Sequence, residues 1–302
     1  MSLVDGPEFA LYLEMKASAF TRILCPVNFS DSSWRTVSEA AMLATLYDAE
    51  LRLFHVRSTA HDAGQDAENL IASLFALSRK APERLRVSAA VAYGDPCDEI
   101  RQHARLMGSD LIVLGSDLRS TPGEFLETVP ATIVNHAPCP VLIVRPALDQ
   151  SVADGSPGFA EILCCGDFLP GSAERIKYAL ALGDRVHGRV TLVEVLSEGD
   201  DSTELEQQEH EAAVVDERMH VVHVALTGSP GPEIVGLAKR VQSDLIVIGA
   251  QKHVSAAPRL GSTTAYVMAH APCPVLIVPS FPKASEMESN DHSESMSNFT
   301  LS

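Results

Sequence analysis

The chain has 302 residues, enough for two domains of about 100–200 residues each. Its 46% apolar and 21% charged residues are the balance of a folded globular protein, which excludes disordered, collagenous and low-complexity classes. With 23 basic against 40 acidic side chains the net charge is −17, so the overall field repels nucleic acid and anionic lipid surfaces, and a phosphate ligand needs local geometry to hold it.

In chain order, residues 1–20 form an N-terminal extension. They carry Asp5, Glu8 and Glu14 and lack the basic start and apolar centre of a secretory signal. Short apolar runs then alternate with longer mixed stretches, the pattern of strands separated by helices. Strands are predicted at 23–27, 51–56, 87–92, 111–114 and 141–144. A stretch rich in Asp, Ser, Gly and Pro at 147–159 reads as a linker. Strands follow at 162–165, 190–195, 220–225, 245–248 and 275–278, and the Ser/Glu/Asn-rich residues 280–302 read as a disordered tail.

Ser30 or Asp31, and Ser172 later, stand where they can cap the helix after a first strand. The apolar runs are far shorter than the roughly 20 residues that span a bilayer, so no membrane segment is predicted. Six cysteines without a CxxC pair point to reduced, buried thiols in a cytoplasmic protein, with no zinc and no disulfide framework.

The chain repeats itself. HAPCPVLIV at 136–144 recurs unchanged at 270–278, an offset of 134 residues (270 − 136), and SDLIV at 109–113 recurs at 243–247. Upstream the offset is 139: Ile23-Leu24-Cys25 falls on Ile162-Leu163-Cys164, and Phe54-His55-Val56 on Val193-Glu194-Val195. A period this long marks duplicated domains, because solenoids repeat at about 20–50 residues. The boundaries are 21–146 and 160–279. The last two strands of each copy are apolar throughout, as in a parallel sheet covered by helices on both faces. Two tandem doubly wound α/β domains follow. The Pro-Cys-Pro before each final strand is structural, ending a helix and starting an extended segment.

The run from Ile23 to Ser30 (ILCPVNFS), the SDLIVLG and SDLIVIG strands and the two HAPCPVLIV segments together resemble the universal stress protein (UspA) family, over residues 21–146 and 160–279. The resemblance implies, for each domain, a five-stranded parallel sheet of order 3-2-1-4-5 with two helices on each side. It implies that the final strands of the two copies pair around a pseudo-two-fold axis as an internal pseudo-dimer; homodimerisation of whole chains stays open. ATP-binding members place an aspartate after strand one and a valine ending strand two at the adenine, with the phosphates on a G-x-x-G-x9-G-[ST] loop after strand four.

That loop closes backbone amides around phosphate at the start of a helix, where the dipole attracts negative charge. Carried over, the pattern falls in the second domain on Asp167, Val195, Gly228, Gly249, Gly261, Ser262 and Thr263, with Lys252 replacing the middle glycine. In the first domain the equivalents are Asn28, Val56, Gly94, Gly115, Leu118, Glu127 and Thr128, and the loop is one residue short in both copies. Glu127 at about 4 Å from a phosphate would cost roughly 4 kcal/mol at an effective dielectric near 20. ATP is therefore a ligand to be sought in the second domain, not the first. Each assignment has a plainer alternative: Ser262 and Asp167 as caps, Val195 as core, Gly94 and Gly228 as turn residues.

No catalytic constellation emerges. HExxH, the Walker loop and GxSxG are all missing. His220 and His223, three apart on a predicted strand, point to opposite faces and cannot share a metal. His136 and His270 stand near helix C-termini, where the dipole favours a cation. Two functions remain. One is a non-catalytic stress-response or regulatory module acting through protein contacts, its second domain sensing an adenine nucleotide. The other is an ATP-hydrolysing or adenylyl-transferring enzyme of the adenine nucleotide α-hydrolase-like superfold, against which stands the absence of a base or nucleophile.

Overall fold

A computed structural model describes residues 20–28, 33–57, 85–116, 128–145, 159–166, 173–196, 213–216, 220–250 and 260–279. The predicted extension, linker and tail, apart from Phe20 and Phe159, and the capping residues Ser30, Asp31 and Ser172 lie outside them.

The first half runs β1 (Arg22–Pro26), α1 (Ser33–Tyr47), β2 (Glu50–Arg57), β3 (Arg86–Tyr93), α2 (Pro96–Leu106), β4 (Leu111–Gly115), α3 (Val129–His136) and β5 (Val141–Val144). The second runs β6 (Glu161–Cys165), α4 (Ala173–Val186), β7 (Arg189–Leu196), β8 (Ala213–Asp216), β9 (Val221–Thr227), α5 (Pro230–Arg240), β10 (Leu245–Gly249), α6 (Ser262–His270) and β11 (Val275–Val278). All strands join one sheet of order β3-β2-β1-β4-β5-β11-β10-β6-β7-β9-β8. Five strands of each half thus have the 3-2-1-4-5 order and pair in parallel with one another.

Two details differ from the sequence reading. The short strand β8 pairs antiparallel with the edge of β9. It was not predicted, because an Ala-Ala-Val-Val run inside an acidic stretch has no strand alternation to read. His220 stands before β9 with φ 51°, so the expectation that it lies on a strand with His223 is corrected. The chain is still turning at that residue, and strand alternation does not apply to it.

The SDLIV repeat owes its aspartate to the sheet. Asp110 accepts hydrogen bonds from the Thr21 and Arg22 backbone N–H groups at 2.8 and 3.0 Å, and Asp244 accepts one from Glu161 N–H at 3.0 Å. Each carboxylate ties the start of a half's first strand to the start of its fourth. The apolar residues behind it bury both faces: β4 and β10 are buried along almost their whole length. One face of the sheet packs on α1 and α4, through Leu43 and Ala44 and through Ile176 and Ala179. The other packs on α2, α3, α5 and α6. The second helix implied for the α1 face would fall within 58–84 and 197–212, outside the described residues.

The halves join along an antiparallel seam, with Val275 opposite Ile143, Leu276 opposite Leu142 and Ile277 opposite Val141. Leu142 and Leu276 are repeat equivalents, so the pseudo-two-fold axis passes between them. The pairing hides two edges that would otherwise offer open hydrogen-bonding groups. Contacts beyond the sheet reinforce it: Phe20 stacks on Tyr178 at 5.6 Å, Arg145 Nη1 donates to Met268 O at 2.9 Å, and the Arg185 guanidinium donates to Leu46 O near the C-terminus of α1 at 2.7 Å.

All six cysteines are free. Cys164 and its neighbour Cys165 lie on opposite faces of β6, packed into different core clusters. Burial pushes the Cys164 thiol up to about 12 and raises that of Cys165 well above its ordinary value, so both are packing groups and not nucleophiles.

Candidate functional site

In an open α/β sheet the strand order reverses between the first and fourth strands, and a crevice opens at their carboxyl ends. In the first half this crevice is a cavity of about 410 Å³. Pro26, Val27 and Asn28 reach it from the end of β1, Phe54, His55 and Val56 from β2, Leu114, Gly115 and Ser116 from β4, and Thr128, Val129 and Pro130 from the start of α3. Ser33 and Thr36 of α1 and Pro96 and Ile100 of α2 complete the walls.

Several of the described polar groups around this cavity are held by bonds within it. Ser33 Oγ donates to Asn28 Oδ1 at 2.7 Å, which ties the end of β1 to the start of α1. His55 Nδ1 lies 2.7 Å from Val27 O, and since a carbonyl can only accept, that nitrogen carries the proton. Thr36 is buried against Gly115, where an added Cβ would come within 2.5 Å of its Oγ1. Ser116 is 2% exposed, and its Oγ has no hydrogen-bond partner.

Behind the cavity the His103 ring stacks on Phe54 with centroids 4.2 Å apart, its Nε2 buried without a partner. Burial, helped by the Arg52 charge, lowers its pKa from the ordinary 6.5. The unfolded chain therefore takes up this proton more readily. His103 contributes stability that is complete above pH 6.5 and is lost as pH falls from there through the folded-state value. Urea unfolding between pH 7.5 and about pH 5.5 should show a smaller acid-side loss for His103→Gln than for the parent chain; an unchanged pH slope would rule this histidine out.

The second half uses the same backbone with different chemistry. Arg175 of α4, the repeat equivalent of Thr36, lays its guanidinium across the ends of β6 and β10. A Cβ added at Gly166 would come within 2.7 Å of Nη2, and one at Gly249 would collide with Nη1. Beside it begins α6, with Gly261 at its N-cap and no side-chain cap. Ser262 is the first helical residue and not the cap, which corrects the capping alternative for it. Thr264 Oγ1 donates to Gly249 O at 2.7 Å and fixes the helix start to the strand end.

The structure thus brings Gly249, Gly261, Ser262 and Thr263 to one end of the sheet, with half-buried Val195 near the end of β7. Gly228 and Gly94 form the turns after β9 and β3, with φ +134° and +152°, their N–H groups bonded to Leu196 O and Arg57 O. Gly94 is not among the residues that line the first cavity. Asp167, Lys252, Leu118 and Glu127 lie outside the described residues. Arg175 was missed because the motif concerns loops. Extending the 139-residue offset into the helix after strand one would have set it against Thr36. His136 and His270 end α3 and α6, their Nδ1 atoms facing the carbonyls of Thr132 and Tyr266, a helix-end role.

Two repeats of one strand order, fused into a single sheet, define a tandem doubly wound α/β protein. The model of the Universal stress protein family matches residues 19–145 and 158–279, and the chain belongs to that family. Among solved structures, a universal stress protein from Archaeoglobus fulgidus DSM 4304 is 18% identical with a TM-score of 0.67, over 86% of this chain and 96% of that one. A functionally unknown protein from Pseudomonas aeruginosa PAO1 is 14% identical with a TM-score of 0.64, over 91% of this chain and 98% of that one. These likenesses extend over both halves and concern the fold. Among the described residues no helix is long and apolar enough to cross a membrane.

Proposed function

We propose that the chain is a non-catalytic, cytoplasmic stress-response module that acts through protein contacts, with domains at 21–146 and 160–279, and that its second domain senses an adenine nucleotide. The observation that carries this reading is the guanidinium of Arg175 at the ends of β6 and β10, beside the uncapped start of α6. A fixed cation and a helix N-terminus together favour a phosphate, and they do so locally in a chain whose net charge is −17. Gly261, Ser262 and Thr263 supply backbone amides there, Lys252 a second cation, and Asp167 and Val195 the base-reading positions.

The reading is tested by releasing bound small molecules from freshly purified protein and then titrating ATP into the nucleotide-free chain. Gly261→Glu puts in the second domain the carboxylate that Glu127 supplies in the first. Its side chain has room, because the nearest atoms to an added Cβ are 3.7 Å away. ATP binding without turnover is expected, weakened about a thousandfold by the substitution at roughly 4 kcal/mol of repulsion. Unchanged binding, or release of phosphate or AMP, would contradict the proposal.

A further inference from the structure

We propose that the outer edge of β3 joins two copies of this chain, strand against antiparallel strand, at the end of the sheet remote from the internal seam. The two ends of the sheet are unequal. In the second half the outer edge of β9 is covered by β8, with Ala213 opposite His223 and Val214 opposite Val222. In the first half β3 is the last strand, and among the described residues none pairs with its outer side.

The backbone shows what that edge offers. Gly94 N–H donates to Arg57 O at 2.9 Å, and backbone groups alternate sides along a strand, so those of Val87, Ala89, Val91 and Tyr93 turn away from β2. By the 134-residue offset Ala89 holds the place of His223, which β8 pairs in the second half. The usual guards of an open edge are missing: β3 reads RVSAAVAY, with no proline, glycine, lysine or acidic residue, in a chain that carries 40 acidic side chains. Tyr93 is 57% exposed at the end of the strand, with the Arg57 guanidinium 6.0 Å from its ring centroid.

A second copy is the occupant that fits this edge. The one charge on β3 is Arg86, its first residue, and antiparallel pairing keeps the two arginines at opposite ends of the contact. Pairing centred on Ala90 sets Val87 opposite the partner's Tyr93 and Ala89 opposite the partner's Val91, which uses every outward-turned residue and leaves Ala90 facing its own copy on the two-fold axis. The chain already pairs identical strands in this way: VLIV of β5 lies against VLIV of β11, with the equivalents Leu142 and Leu276 face to face. Each β3 is used up by the other, so the contact closes at two copies. At the far end of the sheet β8 is only four residues long and its register shifts between Val214 and Asp216, both of which discourage further growth.

The test is analytical ultracentrifugation of the full chain, with a two-chain species expected. Ala89→Pro removes an outward N–H and none that bonds β2, a place where an edge strand accepts proline. It should keep the parent's urea midpoint and weaken dimerisation at least tenfold. Under mild oxidation Ala90→Cys should form an interchain disulfide, because facing residues of a non-hydrogen-bonded pair have Cα atoms about 4.5 Å apart, within the span of about 4.4–6.8 Å that a disulfide bridges. Ala92→Cys, set opposite the partner's Ser88, should not. If Ala89→Pro lowers the urea midpoint, the two cysteine variants decide alone. A monomeric parent, as when residues of the same chain cover the edge, would overturn the inference. So would a dimer that a stably folded Ala89→Pro leaves unchanged, or cross-linking of Ala90→Cys no greater than that of the parent or of Ala92→Cys. ATP binding is read separately, so either assignment can fail alone.

Discussion

Leu142→Ala and Leu276→Ala are each expected to lower the unfolding free energy by about 2–5 kcal/mol, the usual cost of emptying a buried leucine site. The two side chains are 1% and 2% exposed, lie opposite each other across the β5–β11 seam and belong to the same core cluster. Because they are direct cross-strand neighbours, the double variant should depart from additivity by about 0.5–3 kcal/mol. Urea denaturation of the two single variants and the double variant measures this coupling. Additive losses would mean that the seam does not hold the halves together in solution, and single losses below about 1 kcal/mol would deny the leucines their buried place.

Arg175→Thr gives the second half the residue that the first half has at the same point. Thr36 shows that threonine fits against the glycine ending the fourth strand, so the fold should tolerate the change. A hydrogen bond between an arginine and a phosphate contributes about 1.5–3 kcal/mol, and ATP affinity should fall roughly tenfold to a hundredfold. Calorimetric titration reads the difference. Equal or tighter binding in Arg175→Thr would show that the guanidinium fills the crevice rather than receiving a ligand in it.

The fold was legible in the sequence because the repeat made each half a control on the other. Two copies of HAPCPVLIV and of SDLIV located the fourth and fifth strands of both halves, while the strand order and the pairing of the final strands came from the family resemblance; the apolar runs are bounded by Pro-Cys-Pro and by the Asp110 and Asp244 clamps. What escaped was chemistry carried by single residues on helices and strand ends. Arg175 and Ser116 belong to no chemical motif; the sheet places the first at the ends of β6 and β10 and the second at the end of β4. The strand β8 escaped for a related reason: four residues at a sheet edge are specified by their partner strand more than by their own pattern.

The motif reading directed attention to the second domain, where glycines and a helix start are retained. The first domain carries a cavity at the carboxyl ends of β1, β2 and β4. Asn28, Thr36, His55 and Ser116 each differ from their counterparts in charge or polarity.

The most direct test of the central claim is calorimetric titration of ATP into the nucleotide-free chain and into its Gly261→Glu variant. One site per chain is expected in the parent, weakened about a thousandfold in the variant. Two sites per chain, or equal affinity in parent and variant, would contradict the assignment of the nucleotide to the second domain.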